Sequence, residues 1–587
     1  MKMKNEELAK IFFAMSQYLQ MQDIAFKPQA YEKAAFTIQT LPEDIEDIFQ
    51  KGGEKALESL PGIGKSIAEK IKEYLTTGVI GEYEQLKKKF PVDIENLTAV
   101  EGIGPKTIKI LYQKLKIKNL ADLEKAAQEG KIRRLSGFGI KSEQNILQAI
   151  AFLKKSTGRF LLGEILPVVK NVWQKLNSLK EVQQVSPAGS VRRRKETIGD
   201  VDFLVVSDNP AKVMDYFCSL PGIIKILAKG ETRSSVRMRQ GFDMDIRVVP
   251  AQSYGAALQY FTGSKEHNIV LRKLAMDKGF KLNEYGLFRS GKMIVCAKEE
   301  DVYKNLGLCW MEPELRENQG EIEAALAQAK GKQSLPKLIG YNDILGDLHV
   351  HSNWDGGADS LQELALFAIE MGYQYLGIAD HTKFLRIEKG LDEKQLAQRS
   401  GAIQALNRKL ATQGYHFRIL EGCEANIMPD GSLDIAQQAL SKLDYVIAGI
   451  HSQMKMPALQ MTERIIKAMQ NPYVNIISHP TGRLLQKRDE YEIDFEKILQ
   501  AAQKTNTILE INSFPARLDL KDVFIKKAKE AGVKMVINSD AHQKEQMHFV
   551  EYGIAQARRG WAEKKDIINT LPLNKLLACF GEKQKIK

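Results

Sequence analysis

The sequence predicts a multidomain protein: an all-α N-terminal region of helix-hairpin-helix units, an α+β middle and a C-terminal α/β barrel. Three observations carry that reading. A Gly-x-Gly turn between helical patterns occurs three times before residue 150. Two strand-like segments that begin Asp-x-Asp follow, the first directly behind an arginine cluster. Beyond residue 340, five apolar strands in turn end in histidine, with helical stretches between them.

Bulk properties narrow the class. The chain has 587 residues, room for several domains. It holds no apolar run of membrane-spanning length, and no apolar stretch follows the charged start, so a membrane or secreted protein is not expected. Cys218, Cys296, Cys309, Cys423 and Cys579 lie far apart and form no C-x-x-C. That fits a reducing cytoplasm and argues against a disulfide framework or a thiolate zinc site. Residues 341–587 hold 32 Lys and Arg against 31 Asp and Glu, which leaves 53 against 42 for residues 1–340. The basic surplus therefore sits in the front part, where it suits a polyanion. Eight of the nine histidines lie behind residue 340.

In the N-terminal region, "SLPGIGKSIAEKI" (59–71), "AVEGIGPKTIKIL" (99–111) and "RLSGFGIKSEQNIL" (134–147) share one pattern. An apolar residue precedes Gly-x-Gly and a helical period follows it. The glycines permit positive φ and close backbone approach. The second helix then offers unpaired N–H groups to a phosphate. Gly62, Gly64, Gly102, Gly104 and Lys106 are the candidate contacts, of a kind that grips a nucleic-acid backbone without reading its sequence. A dinucleotide-binding reading fails, because no strand precedes and the third glycine is missing.

In the middle, "GSVRRRKETIGDVDFLVV" (189–206) reads as a turn, a basic cluster and a half-buried strand. Side chains alternate along a strand, so Asp200 and Asp202 share a face. "GFDMDIRVVP" (241–250) offers a second such strand, with Asp243, Asp245 and Arg247 on one face. Crowded carboxylates call for divalent cations, and the arginines suit a triphosphate.

The stretch "AGSVRRRKETIGDVDFLVV" resembles the nucleotidyltransferase signature of the family X DNA polymerases, the group of DNA polymerase beta. "YFTGSKEHN" (260–268) is similar to that family's nucleotide-selection segment, and "AYEKAAFTI" (30–38) with "LPGIGKSIAEKI" to its lyase domain. The resemblance implies that Asp200, Asp202 and Asp245 bind two Mg²⁺, with Asp245 assisting the primer 3′-hydroxyl. It implies triphosphate contacts at Gly189, Ser190, Arg193 and Gly199, a check on the sugar at Tyr260 and Phe261, and a contact to the base edge at Asn268. Lys265 stands where polymerase beta has an acidic residue, which bears on base or template preference. Asp243 is a spare carboxylate. Lys70 aligns with the lysine that attacks a 5′-deoxyribose phosphate as a Schiff base. Lys65 and Lys72 stand near it in sequence as the positive charges that assist such an amine. Ser66 replaces a second lysine of the family.

In the C-terminal part, "DILGDLHVHS" (343–352), "YLGIADHTKF" (375–384), "YVIAGIHSQ" (445–453), "VNIISHPTG" (474–482) and "KMVINSDAHQ" (534–543) each end an apolar strand with histidine. "RILEGCEANI" (418–427) ends one with glutamates. A strand, a polar tip and a helix, repeated about seven times, read as a barrel with its site at the strand C-termini. Imidazole and carboxylate at this density suit zinc or manganese. The pattern resembles the polymerase and histidinol phosphatase (PHP) domain, a distorted (β/α)7 barrel with up to three metal ions. The resemblance implies the ligands His349, His351, His381, Glu424, His451, His479, Asp540 and His542, with Glu424 bridging. Asp355 is the expected ninth, although the family often has Ser-Asp-Gly where this chain reads "HSNWDGGADS". Asp380 and Glu421 are expected to orient histidines.

The expected layout is a helix-hairpin-helix lyase-like domain at 1–90 and a duplex-binding one at 91–155. A nucleotidyltransferase palm at 156–250 and a nucleotide-selection subdomain at 251–318 follow. A linker at 319–340, the PHP domain at 341–575 and a tail at 576–587 complete it. The resemblance implies a cytoplasmic, monomeric polymerase that uses dNTPs to fill gapped or nicked duplex DNA from a primer terminus during repair. A 3′–5′ exonuclease in the barrel is implied, with Mn²⁺ or Zn²⁺, and in some members an abasic-site endonuclease. Two alternatives stay open. The barrel is a structural platform or removes pyrophosphate, or the transferase needs no template.

Overall fold

The computed structural model describes residues 3–41, 44–100, 102–156, 158–332 and 334–583. The chain forms two compact units that part near Gly158.

The first unit is helical, from Met3–Met21 through Ile140–Ser156. Asp44, Asp93 and Asn119 accept bonds from backbone N–H groups in the first turns of their helices and fix where those helices begin. Gly62, Gly102 and Gly137 sit at φ of +75°, +83° and +85°, and each starts a tight turn. Gly64 and Gly104 cap the next helices, Lys65–Thr77 and Pro105–Leu115. The segments expected as two domains bury their apolar faces in one core that includes Phe12, Ile71, Leu97, Leu111 and Ile150. The Tyr18 hydroxyl donates across them to the Val92 carbonyl at 3.0 Å.

The second unit opens with a five-stranded sheet in the order Val182–Pro187, Asp200–Ser207, Asp243–Val248, Arg233–Met238, Ile223–Lys229. Asp200–Ser207 and Asp243–Val248 run parallel; the other neighbours are antiparallel. Helices Leu162–Asn177 and Pro210–Cys218 cover the face of Val201, Phe203, Val205, Met244 and Ile246. On the other face, helix Tyr254–Thr262 covers Leu204 and Val206. Asp200 and Asp202 precede them there.

Helices Lys265–Asp277, Glu299–Asn305 and Glu321–Ala329 then pack with a three-stranded meander around Leu271, Leu287, Tyr303 and Ile322. The last of these helices corrects the expected linker at 319–340. "EIEAALA" has an apolar face, and Ile322 and Ala325 bury it in this core. Glu321 meets His267 at 2.7 Å in the interior. Within that stretch, Gln333 lies outside the described residues.

Seven parallel strand positions form the barrel: Gly346–Val350, Tyr375–Ile378, Arg418–Glu421 continuing as Glu424–Asn426, Ile447–Gly449, Ile476–Ile477, Ile508–Asn512 and Met535–Asn538. The third changes partner at Gly422-Cys423, pairing backward before the break and forward after it. A bridge between Val350 and Ala541 closes the ring. Tyr445 fills the middle and donates to the Leu348 carbonyl at 2.6 Å. A Cβ on Gly377 or Gly422 would lie 2.3 Å from the Tyr445 side chain. The residues expected as a tail form helix Leu573–Lys583 instead. Its Leu576 and Phe580 pack with Tyr375, Ile447, Ile476 and Ile508 at the strand N-termini. Residues 584–587 of that segment lie outside the described residues. No described helix is long and apolar enough to cross a membrane.

Candidate functional sites

Parallel pairing sets Asp200 beside Asp243 and Asp202 beside Asp245. All four carboxylates share the face left by the strand period. Asp243 is taken by Arg237 at 2.6 and 2.9 Å, so it leaves the set. Asp245 accepts from the Ser235 hydroxyl and lies 3.4 Å from Arg233. Burial, then the charges of Asp200 and Asp245, push the Asp202 carboxyl up to about 7. Crowded hard oxygen donors that oppose one another's ionisation fit a divalent ion such as Mg²⁺. Gly189, at φ +62°, comes so close that a Cβ there would lie 2.9 Å from Asp202 Oδ2. Ser190 follows it on the short helix Gly189–Arg192, and Gly199 leads into the Asp200 strand.

The arginine cluster departs from expectation. Arg192 forks onto Glu299 at 2.8 and 2.9 Å. Arg193 meets Glu317 at 2.9 Å and the Thr262 carbonyl. Arg194 lies 3.5 Å from Glu551 and over the Tyr341 ring. The cause is the enclosed carboxylates of Glu299 and Glu317, which have to be paired. Arg193 thus commits Nε to Glu317 and Nη1 to the Thr262 carbonyl, and a triphosphate competes with Glu317 for this guanidinium. Tyr260 and Phe261 stand edge to face at 5.2 Å, and the Arg247 guanidinium lies over Phe261 at 4.8 Å. Asn268 accepts from Gln259 and donates to the Tyr260 carbonyl, both at 2.7 Å. Its amide thus holds the Tyr260 backbone in place of pointing outward to a base.

The barrel brings its nine expected residues to one end. Glu424 lies at the centre: Oε2 is 2.9 Å from His381 Nδ1 and 3.4 Å from His349 Nε2, and Oε1 is 3.1 Å from His479 Nε2 and 3.4 Å from His451 Nε2. Asp540 Oδ1 lies 3.6 Å from His349 Nε2 and 3.5 Å from His351 Nε2. His542 stacks on His351 at 4.1 Å. Burial opposes the charge on Glu424, yet His451, His349 and His381 hold its carboxyl well below the usual range. Four donor groups among the described residues each close to within 4.8 Å: His349, His351 and Asp540; His351, His381 and His542; His381, Glu424 and His451; and His351, Asp355 and Asp380. His349 Nε2, His351 Nε2, His381 Nδ1 and His479 Nδ1 are buried without a hydrogen-bond partner, which a metal ion would supply. The mixed nitrogen and oxygen set fits Mn²⁺ or Zn²⁺.

What orients these imidazoles differs from the sequence reading. Asp355 sits 2.8 Å from His351 Nδ1 and accepts from Gly357 N at 2.9 Å, so it turns a histidine, and it also closes a donor group with His351 and Asp380. Asp380 serves Ser352 and the buried Arg399. Glu421 touches Gln404, away from the histidines. The orienting groups that sequence reasoning missed are Glu510, 2.7 Å from His349 Nδ1, and Asn426, 2.7 Å from His451 Nδ1. A lone glutamate inside the apolar strand "ILEIN" was the available signal. Arg517 stands 3.5 Å from Asp540 and is also unannounced by any motif.

In the helical unit, Cβ positions at Gly64, Gly102 and Gly104 meet nothing within 4 Å, one on Gly62 would lie 2.7 Å from the Lys33 side chain, and Lys106 is exposed just after Gly104. Lys70 lies 3.1 Å from Glu82 and 3.2 Å from the Ser66 hydroxyl. Glu82 also takes Lys27 at 2.7 Å and the Tyr31 hydroxyl at 3.1 Å. Lys72 pairs with Glu54, and the Lys70 amine shares Glu82 with Lys27 and Tyr31.

Comparison with known proteins adds the following. Residues 3–80 match the helix-hairpin-helix domain and 94–151 the SAM-like helix-hairpin-helix tandem. Residues 257–317 match the DNA polymerase beta thumb, and 347–514 the PHP domain. The chain is 36% identical over 576 residues, 97% of its length and 98% of the other's, to the DNA polymerase/3′-5′ exonuclease PolX of Bacillus subtilis (strain 168). Over 250 residues, 41% of its length and 95% of the other's, it is 32% identical to a probable phosphatase of Thermoanaerobacter sp. (strain X514). A probable phosphatase of Acetivibrio thermocellus is 31% identical over 205 residues, 33% of this chain and 78% of that one.

Proposed function

The chain belongs to the family X DNA polymerases that carry a C-terminal PHP domain, and from that premise we propose that it extends and trims primer 3′ ends at two separate metal sites. The observation that carries the polymerase reading is the register that sets Asp202 beside Asp245 next to the Gly189 turn. Two Mg²⁺ on Asp200, Asp202 and Asp245 would supply activation of the primer hydroxyl and neutralise the triphosphate. Asp245 faces the primer, Gly189 and Ser190 let the phosphates approach the backbone, and Tyr260 with Phe261 borders the sugar. The hairpin glycines hold the duplex backbone, which suits templated filling of short gaps with dNTPs by a monomer in the cytoplasm.

In the barrel, up to three Mn²⁺ or Zn²⁺ would supply hydroxide near neutral pH for 3′–5′ exonuclease and abasic-site cleavage. His349, His351, His381, Glu424, His451, His479, Asp540 and His542 would hold them. Glu510, Asp355 and Asn426 fix the imidazoles, and Arg517 offers a positive group to the scissile phosphate. Asp202→Asn tests the reading: nucleotide addition falls by orders of magnitude, while duplex affinity and primer degradation persist. Wild-type extension in that variant overturns the assignment.

A second reaction, lyase action on a 5′-deoxyribose phosphate, rests on the resemblance of Lys70 to the family's lyase lysine. Its amine has to leave Glu82 to attack a 5′-deoxyribose phosphate, and Lys27 is placed to keep that carboxylate paired. Borohydride trapping on such an end is expected and is lost in Lys70→Ala. Undiminished trapping in the variant moves the role to another amine.

A further inference from the structure

The run Arg192–Glu196 joins the Gly189 turn to the carboxylate strand, and the barrel grips it from outside the nucleotidyltransferase. Glu551 lies 3.5 Å from Arg194, Gln556 donates to Glu196 at 3.3 Å, and Arg483 pairs with Glu196 at 2.7 Å. The last residue of the same barrel helix, Val550–Arg559, goes deepest. Arg559, 2% exposed, meets Glu317 at 3.1 Å, pairs with Asp522 and donates to the Arg193 carbonyl at 3.1 Å. Glu317 is thus divided among Arg193 at 2.9 Å, Lys195 at 3.5 Å and Arg559.

We propose that Arg559, a residue of the exonuclease barrel, is a positioning residue of the polymerase: by sharing Glu317 with Arg193 it sets how readily Arg193 is released to an incoming nucleoside triphosphate. This rests on the reading of Arg193 as a triphosphate contact. An enclosed carboxylate that loses its cation is left with the full cost of desolvation. With Arg559 in place, Arg193 departs and Glu317 stays paired. Without it, Glu317 holds Arg193 more tightly, and the triphosphate has to compete for the guanidinium. Burial raises the Glu317 carboxyl, but the charges of Arg559, Arg193 and Lys195 and the Arg193 hydrogen bond bring it down to about 2, so the barrel cation is a principal partner of this carboxylate.

The test is dNTP titration of primer extension by the full-length chain, with primer degradation measured on the same DNA. Arg559→Met is expected to raise the KM for dNTP about tenfold with a nearly unchanged kcat, the signature of lost ground-state release rather than lost chemistry. Glu317→Gln is expected to lower that KM, a gain that no loss of packing produces. Degradation stays at the wild-type rate in both. A wild-type KM in folded Arg559→Met overturns the proposal, as does an unchanged or higher KM in Glu317→Gln. The second variant decides the matter if the first does not fold. Arg193→Gln separates the two readings. If it leaves the KM unchanged, Arg193 is no triphosphate contact. If it raises the KM while Arg559→Met does not, only the relay fails.

Discussion

His351 has its two ring nitrogens in different company: Asp355 faces Nδ1, while Nε2 is buried without a hydrogen-bond partner. That division gives Asp355 the duty of an orienting group, and Glu510 does the same for His349. Losing such a partner typically costs 10–100-fold in metal affinity without deleting a binding position. Asp355→Asn and Glu510→Gln are therefore expected to need about that much more Mn²⁺ for full exonuclease activity, yet to bind the wild-type number of ions at saturation. Elemental analysis of saturated protein checks this; one ion fewer in Asp355→Asn would make it a ligand after all. The same-face pairs Asp200 with Asp202 and His349 with His351 were legible because Asp-x-Asp and His-x-His state their geometry in the strand period. Glu510 and Asn426 were not, since each acts through a histidine from a distant strand.

The elements misjudged from sequence are both short helices beside polar stretches. "EIEAALAQA" adjoins Lys, Gln, Ser and Pro, which gave 319–340 the look of a tether. "LNKLLACFGEK" repeats apolar residues every three or four positions, the period of a helix with one buried face. The C-terminal helix carries its own test. Burial pulls the Lys583 amine down to about 7, and it donates to the Met469 carbonyl at 3.0 Å and to the Thr507 hydroxyl. The unfolded chain then binds more protons at this position between about pH 7 and the ordinary lysine range near 10.5, so stability rises with pH across that window. Below about pH 7 the penalty is constant. Lys583→Met removes the proton linkage: melting at pH 7 is expected to shift upward, and the wild-type gain between pH 7 and 9 to flatten. Parallel slopes for the two proteins would place the amine in water.

At the level of the molecule, the two chemistries use separate ligands but a shared framework. His349→Ala combined with His351→Ala is expected to abolish 3′-end degradation and leave nucleotide addition, since neither side chain supports the Arg193 segment. Loss of extension in that folded variant would join the metal sites more closely than the geometry does. The layout of helical hairpins, D-x-D strands and barrel could be read from periodicity and motif, because each is local. The ion pairs that bind the parts could not, because they connect charges such as Glu196 and Arg483, 287 positions apart. That separation orders events during synthesis. The chain emerges N-terminus first, and domains fold as they complete. The carboxylate strands of the palm are finished by Val248, yet Glu196, Glu314 and Glu317 meet Arg483, Arg558 and Arg559 only after nearly the whole chain has left the ribosome. A nascent or prematurely terminated chain thus carries the aspartate strands behind an unbraced Arg192–Glu196 run, and competence to lengthen DNA arrives together with the means to shorten it.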